Sequence, residues 1–229
     1  MGIKKLFKLP LIIAFLVTII IVTLFFTNFS ASAVEVTGID FIGEAILPTG
    51  TNFKNTELGG LSGITYDAMK QLYYVISDDR SQKSPARFYT FQINLNIDSF
   101  QKSDIVPVAV TTLKDKNGKT FPAGSIDPEG IALNDDSSIF VSSEGDARRG
   151  VNPFIKEFLL DSGQEISSLP IPQKFLVSKD KKQGIRNNLA FESLTITPDK
   201  KNYFAATENA LNQDGEEAKP TQGSKCRHL

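Results

Sequence analysis

Three stretches of this chain repeat one pattern, and the repeat restricts the fold more than any other feature. They read GLSGITYDAMKQLYYVISDD (Gly60 to Asp79), PEGIALNDDSSIFVSSEG (Pro128 to Gly145) and FESLTITPDKKNYFAATEN (Phe191 to Asn209). Each opens on a small or acidic pair, runs through a short apolar segment and turns through polar residues. A second apolar run then closes on an acid. With Ser62, Glu129 and Glu192 aligned, the periods are 67 and 63 residues. The closing acids Asp78, Glu144 and Glu208 follow 16, 15 and 16 residues later.

The apolar runs are short, β-branched or aromatic and bounded by turn residues at 67–70, 134–137 and 198–201, so they read as strands. Further strands are expected before each hairpin, over 41–47, 105–113 and 169–177, and after it, over 87–95 and 154–160. Four antiparallel strands recurring at a fixed period describe a β-propeller blade. The expected fold is all-β and propeller-like, with about three four-stranded blades; a β-sandwich with similar hairpins is the competing reading. Propellers close with roughly four to eight blades, so the ring is expected to be incomplete. Cys226-Arg227-His228-Leu229 stands where Ala86-Arg87-Phe88-Tyr89 opens a strand in the first unit, and the chain reads as stopping there in a frayed tail. It reads as the N-terminal portion of a longer protein, or as one completed by further blades or a partner chain.

Ahead of the repeats, Lys4, Lys5 and Lys8 precede 18 residues, 9–26, that are apolar apart from Pro10, Thr18 and Thr23. Ala31-Ser32-Ala33 fits a signal-peptidase site. Residues 1–33 are therefore expected to be a signal peptide, leaving 34–229 as the propeller domain. An uncleaved anchor is the alternative, since 18 apolar residues reach the lower edge of spanning length. Either way the positive flank directs the remainder out of the cytoplasm, and the membrane is met only through this segment.

The inventory narrows the chemistry. The single histidine is His228, the single cysteine is Cys226, and there is no tryptophan. A Ser-His-Asp or Cys-His mechanism, a thiolate zinc site and a disulfide framework are excluded. Gly60-Leu61-Ser62-Gly63 is no nucleophile elbow without a histidine, and Asp115-Lys116-Asn117-Gly118 lacks the acid that ends a calcium loop and reads as a turn. Losing three lysines and no acid with the leader takes the net charge from −1 to −4. Nucleic acid is not an expected partner of such a domain.

Acids are the remaining resource. An antiparallel hairpin puts the start of its first strand beside the end of its second. Glu129 thus neighbours Glu144, Glu192 neighbours Glu208, and Ser62 neighbours Asp78. Around a common axis, Asp78, Asp79, Glu129, Glu144, Glu192 and Glu208 would meet at one mouth and repel unless neutralised. The counter-charge is either arginine (Arg80, Arg87, Arg186, Arg227) or a hard cation such as calcium. A calcium site would hold a small anion or phosphate ester, with Glu129 or Glu192 as general base. The other reading is architectural: a recurring acid accepts backbone N–H groups and locks one blade to the next. Arg186-Asn187-Asn188 does not recur, so Arg186 and Asn188, with Arg80, are the expected substrate contacts.

The stretches GLSGITYD, YYVISDDRS, ARFYTFQINL, IDPEGIAL, FVSSEG, RNNLAFESLTITPD and TENALNQDG together resemble the phytase-like domain family, also described as "esterase-like activity of phytase" proteins. The resemblance runs over about residues 41–227. It implies a propeller-like domain outside the cytoplasm, in a family whose members are generally longer, and an activity akin to that of calcium-dependent phytases. Three readings of function follow: an exported calcium-dependent phosphoesterase or ester hydrolase, a non-catalytic extracytoplasmic propeller that binds a ligand or protein, and a non-functional fragment.

Overall fold

Each repeated hairpin folds at the inner edge of a sheet. In the computed structural model, which describes residues 36–95 and 100–229, a small hairpin of β1 (Asn52–Phe53) and β2 (Thr56–Glu57) precedes them. The first sheet is β3 (Leu61–Asp67), β4 (Leu72–Ser77), β5 (Arg87–Ile93) and β6 (Ile105–Thr112), in that order. The second is β7 (Pro128–Leu133), β8 (Ser138–Ser143), β9 (Phe154–Leu159) and β10 (Glu165–Ser168), again an antiparallel meander. The third pairs β11 (Phe191–Ile196) with β12 (Tyr203–Thr207). We call these sheets blades 1, 2 and 3. Side chains set the inner turns: Asp67 Oδ1 accepts the N–H groups of Met69 and Lys70, and Asp135 Oδ1 those of Ser137 and Ser138.

The outer strands differ from the expected order. The strand over 105–113 bonds to β5 and completes blade 1; it does not open the second unit. Within 169–177 only a short 3₁₀ turn forms, Gln173–Phe175, and 41–47 contributes a single bridge from Gly43 to Phe100. The fourth strand of blade 2 is β10, reached through a tight turn at Gly163, whose φ of 66° suits glycine. Sequential strands pair with their neighbours across short connections, so each blade runs outward from its inner hairpin. At the C-terminus, Ala205 and Leu229 exchange N–H···O bonds of 3.0 and 2.8 Å, and Thr207 N–H donates to Arg227 at 2.8 Å. The tail is thus not frayed; an isolated antiparallel bridge between Ala206 and His228 holds it along β12. Asp115 closes a turn as expected, accepting the N–H groups of Asn117 and Lys119.

Two apolar clusters lie between blades, and a third, of Leu58, Val75, Tyr89 and Phe91, lies on blade 1 against Leu47 and Phe53. Tyr74, Ile76 and Phe88 of blade 1 meet Ile131, Ile139, Val141 and Phe158 of blade 2 in one cluster. Ala132, Phe140 and Ile155 of blade 2 meet Leu194 and Ala205 of blade 3 in another. Small residues permit the approach. A Cβ on Gly63 would stand 2.6 Å from Glu129 O, and one on Gly130 would stand 2.6 Å from Leu194 Cβ and 2.7 Å from Leu194 N. These glycines occupy the same place in the repeat, with Ser193 third. Polar bonds tie the blades as well: Leu133 N–H donates to Thr65 Oγ1 at 3.2 Å, Lys200 Nζ to Leu133 O at 2.6 Å, and Tyr203 OH to Asn134 Oδ1 at 3.1 Å. The architecture is all-β and propeller-like, and the ring is not closed.

Residues Ile42–Leu229 form one compact unit, separate from Met1–Phe41. Of the latter, the described residues 36–41 carry no regular secondary structure and are exposed. The leader read at 1–33 lies outside the described residues. No described helix is long and apolar enough to cross a membrane.

The close approach is testable. Gly130→Ala is expected to lower unfolding free energy by about 1–3 kcal/mol in urea titrations, through overpacking. Gly59→Ala, where an added Cβ meets nothing within 4 Å, should stay within about 0.5 kcal/mol of the parent.

Candidate functional site

One backbone bond recurs in all three units and sets the site. Asp78 N–H donates to Gly60 O at 2.8 Å, Glu144 N–H to Asp127 O at 3.0 Å, and Glu208 N–H to Ala190 O at 2.7 Å. Each closing acid is thereby pinned at the same end of its blade as the opening residue. The result is two carboxylate triads, Asp127 with Glu129 and Glu144, and Glu144 with Glu192 and Glu208. Within each, one oxygen from every residue lies within 4.8 Å of the others. Glu144 belongs to both. Beside them opens a cavity of about 440 Å³, lined by Asp78, Asp127, Glu129 and Glu192 together with Arg80 and Asn188.

Positive charge is scarce here. Arg80 Nη2 lies 2.5 Å from Asp127 Oδ2, and among the described residues it is the one cation paired with a triad acid. Asp127 Oδ2 is buried and has that guanidinium as its counter-charge. Burial pushes the Glu129 carboxyl up to about 8; the Ser62 hydroxyl, which donates to it, pulls back, while Glu192, Asp127 and Glu144 add repulsion. Burial likewise lifts Glu144 to about 7, against an N–H bond from Ala190 and with repulsion from Glu192, Asp127 and Glu208. Asp127 is raised by burial in spite of Arg80, and Glu192 by burial and the charge of Glu208. All-oxygen donor sets and carboxyls that hold their protons fit a hard cation.

Glu129, Glu144, Glu192 and Glu208 are brought together as the repeat suggests. Asp78 is exposed beside the cavity and outside both triads; its carboxyl fills the space that a Cβ on Gly60 (φ 57°) would need. Asp79 is committed elsewhere. Its oxygens accept Arg87 Nη1 at 2.8 Å and the N–H groups of Gln82, Lys83 and Ser84. Burial opposes its ionisation, but the bonds from Arg87 and the backbone outweigh burial and hold the carboxyl below its ordinary value. Arg80 and Asn188 share the cavity wall, where Arg80 donates to Asn188 Oδ1. Arg186 does not join them. It binds Ala210 O and Gly215 O, stands 3.5 Å from Glu217, and lines a separate cavity of about 190 Å³ with Arg148 and Lys181. Arg227 pairs in bidentate fashion with Asp214, at 2.8 and 2.6 Å.

Asp127 is the site acid that reading the repeat overlooked. It is 1% exposed and stands at the position held by Gly60 and Ala190 in the other units. Attention to recurring acids passes over it. Its signal was the opposite one, an acid in a repeat unit whose counterparts carry none.

A family model described as Phytase-like, "Esterase-like activity of phytase", matches residues 56–229. No curated protein matches. Among solved structures, a periplasmic gluconolactonase from Pseudomonas aeruginosa is 12% identical with a TM-score of 0.37, over 66% of this chain and 38% of that one. The chain therefore spans well under half of that protein.

Two outcomes follow from the site's charges. A carboxyl whose folded value is raised adds stability that is complete below 4.5, the ordinary value for glutamate, and is lost as pH climbs through about 7 for Glu144 and about 8 for Glu129. In chelator, melting temperature is expected to fall from about pH 5 to pH 9, and Glu129→Gln should flatten the alkaline part of that decline. Asp79→Ala leaves Arg87 buried and unpaired. Urea unfolding should record a loss of about 3 kcal/mol, with the alkaline decline unchanged.

Proposed function

The chain belongs to the phytase-like family, and on that premise we propose that it is an exported hydrolase of esters, phosphate esters among them, that works with calcium. The observation that carries this reading is the pair of carboxylate triads joined at Glu144, beside a cavity of small-molecule size. Export rests on the lysines at 4, 5 and 8, the apolar run and Ala31-Ser32-Ala33. Either triad offers three oxygen ligands of the kind calcium prefers. Held there, calcium would supply a Lewis acid for the phosphoryl or carbonyl oxygen and make a bound water more acidic.

The protein's own groups do the rest. Arg80 presents a guanidinium to the cavity that suits an anionic oxygen, and Asn188 adds a carboxamide next to it. The carboxylate left outside the occupied triad, Glu129 or Glu192, is the general base. It takes a proton from the attacking water as the new P–O or C–O bond forms. The bond to the alcohol breaks, and the alcohol departs with a proton. A carboxyl that titrates near neutrality suits that exchange better than an ordinary glutamate.

A second reading has an observation of its own. Ser62 donates to Glu129, and Ala190 N–H donates to Glu144, so two of the acids also latch neighbouring blades. In that case the cation is a clasp in a propeller that binds a ligand without turning it over.

Calcium calorimetry, together with hydrolysis of p-nitrophenyl phosphate, p-nitrophenyl butyrate and a lactone with and without EDTA, separates the two. The hydrolase reading expects EDTA-sensitive turnover and one of two matched results: weaker calcium binding in Asp127→Asn with kcat lowered about 10²–10⁴-fold by Glu192→Gln, or weaker calcium binding in Glu208→Gln with the same loss of kcat in Glu129→Gln. Calcium binding without turnover supports the clasp. Neither binding nor turnover would overturn both.

A further inference from the structure

The inner ladder slips at one place in every blade, and the slip frees a side chain for the site. It falls between Leu61 and Gly63 in blade 1, Pro128 and Ile131 in blade 2, and Phe191 and Ser193 in blade 3. A bulge of this kind re-aims the residue that the ladder passes over. In blades 2 and 3 that residue is Glu129 or Glu192, and both line the cavity beside the triads. In blade 1 it is Ser62. A hydroxyl thus stands where the other blades carry a carboxylate.

The exchange creates a donor beside an acceptor. The Ser62 side chain is exposed and its hydroxyl donates to Glu129 Oε2, across the boundary between blades 1 and 2. The cation paired with a triad acid, Arg80, goes to Asp127, which leaves this oxygen of Glu129 to the hydroxyl. A serine hydroxyl is a weak nucleophile until an adjacent base takes its proton. Here a bulge takes the place of the strand-to-helix elbow, and a carboxylate from the neighbouring blade takes the place of histidine.

We propose that Ser62 is the nucleophile of a two-step acyl transfer from carboxylic esters, with Glu129 as its base. This rests on the hydrolase reading and commits its free carboxylate to Glu129, so that Glu144, Glu192 and Glu208 are the cation's ligands. A neutral ester also meets less repulsion at an acid-rich mouth than a phosphate does. In the first step Glu129 takes the Ser62 proton as Oγ bonds to the carbonyl carbon and an electron pair moves onto the carbonyl oxygen. As that pair returns, the bond to the alcohol breaks, and the alcohol leaves with the proton from Glu129. In the second step Glu129 takes a proton from water as the water oxygen bonds to the acyl carbon. The bond to Ser62 then breaks, Oγ recovers the proton, and the carboxylic acid departs. Arg80 lines the cavity with Glu129, and its charge suits the transient oxyanion.

The full chain in calcium is treated with p-nitrophenyl butyrate and, separately, with diisopropyl fluorophosphate, and the products are mapped by peptide mass spectrometry. A single adduct on Ser62 is expected, absent from Glu129→Gln. Ser62→Ala should lower kcat for the butyrate ester about 10²–10⁴-fold, the scale of a lost proton transfer, with its circular dichroism spectrum and calcium binding unchanged. A serine that only latches two blades would change the melting temperature and neither of these readouts. EDTA-sensitive turnover that survives in Ser62→Ala, with no adduct on Ser62, would overturn the inference and leave the hydrolase reading standing with water as nucleophile. An adduct on Ser62 without turnover supports the activated serine and overturns the hydrolase reading alone. Neither adduct nor turnover overturns both.

Discussion

The approach of one inner strand to the next governs the rest of this molecule. Blade 2 reaches blade 1 at Gly63, and blade 3 reaches blade 2 at Gly130, where a side chain of ordinary size would collide with backbone. That distance lets two apolar clusters form between blades. It also brings the strand ends of successive blades together. The carboxylates gather because the glycines let them.

Crowding like charges at such a point is costly, and the structure shows how the cost is met. Part of the answer is hydrogen bonding across blades, from Ser62 to Glu129 and from Ala190 N–H to Glu144. Part is Arg80, which faces Asp127 from the neighbouring blade. The balance falls to protons or a cation: burial first, and the neighbouring charges after it, make Glu129 and Glu144 bind protons far above the usual carboxylate range. Asp79, one residue beyond a closing acid, shows the contrast. With Arg87 and three N–H groups around it, it ionises readily and serves the fold.

The hairpins, their turns and the meeting of Glu129, Glu144, Glu192 and Glu208 could all be read from the spacing. Period-two strands and a fixed repeat carry that information in the order of residues alone. The outer strands were harder. Residues 105–113 look alike whether they end one blade or begin the next, and only hydrogen bonding to β5 decides. Arg186 was singled out because it is unique in the repeat, yet its partners, Ala210 O and Gly215 O, come from a loop with no periodic signature. Asp127 went unremarked because its burial and its nearness to Glu144 come from tertiary packing.

The backbone bond shared by Gly60, Asp127 and Ala190 has one more consequence. That bond uses only their carbonyl oxygens, so nothing in it dictates which side chain the position carries. In blade 1 the place holds a glycine at φ 57°, with the Asp78 carboxyl standing where a Cβ would be; in blade 2 it holds a buried acid, and in blade 3 a methyl group. The propeller thus contains a socket in each module where chemical individuality can be installed while the scaffold stays constant. A repetitive fold acquires an asymmetric centre by exchanging the contents of one such socket.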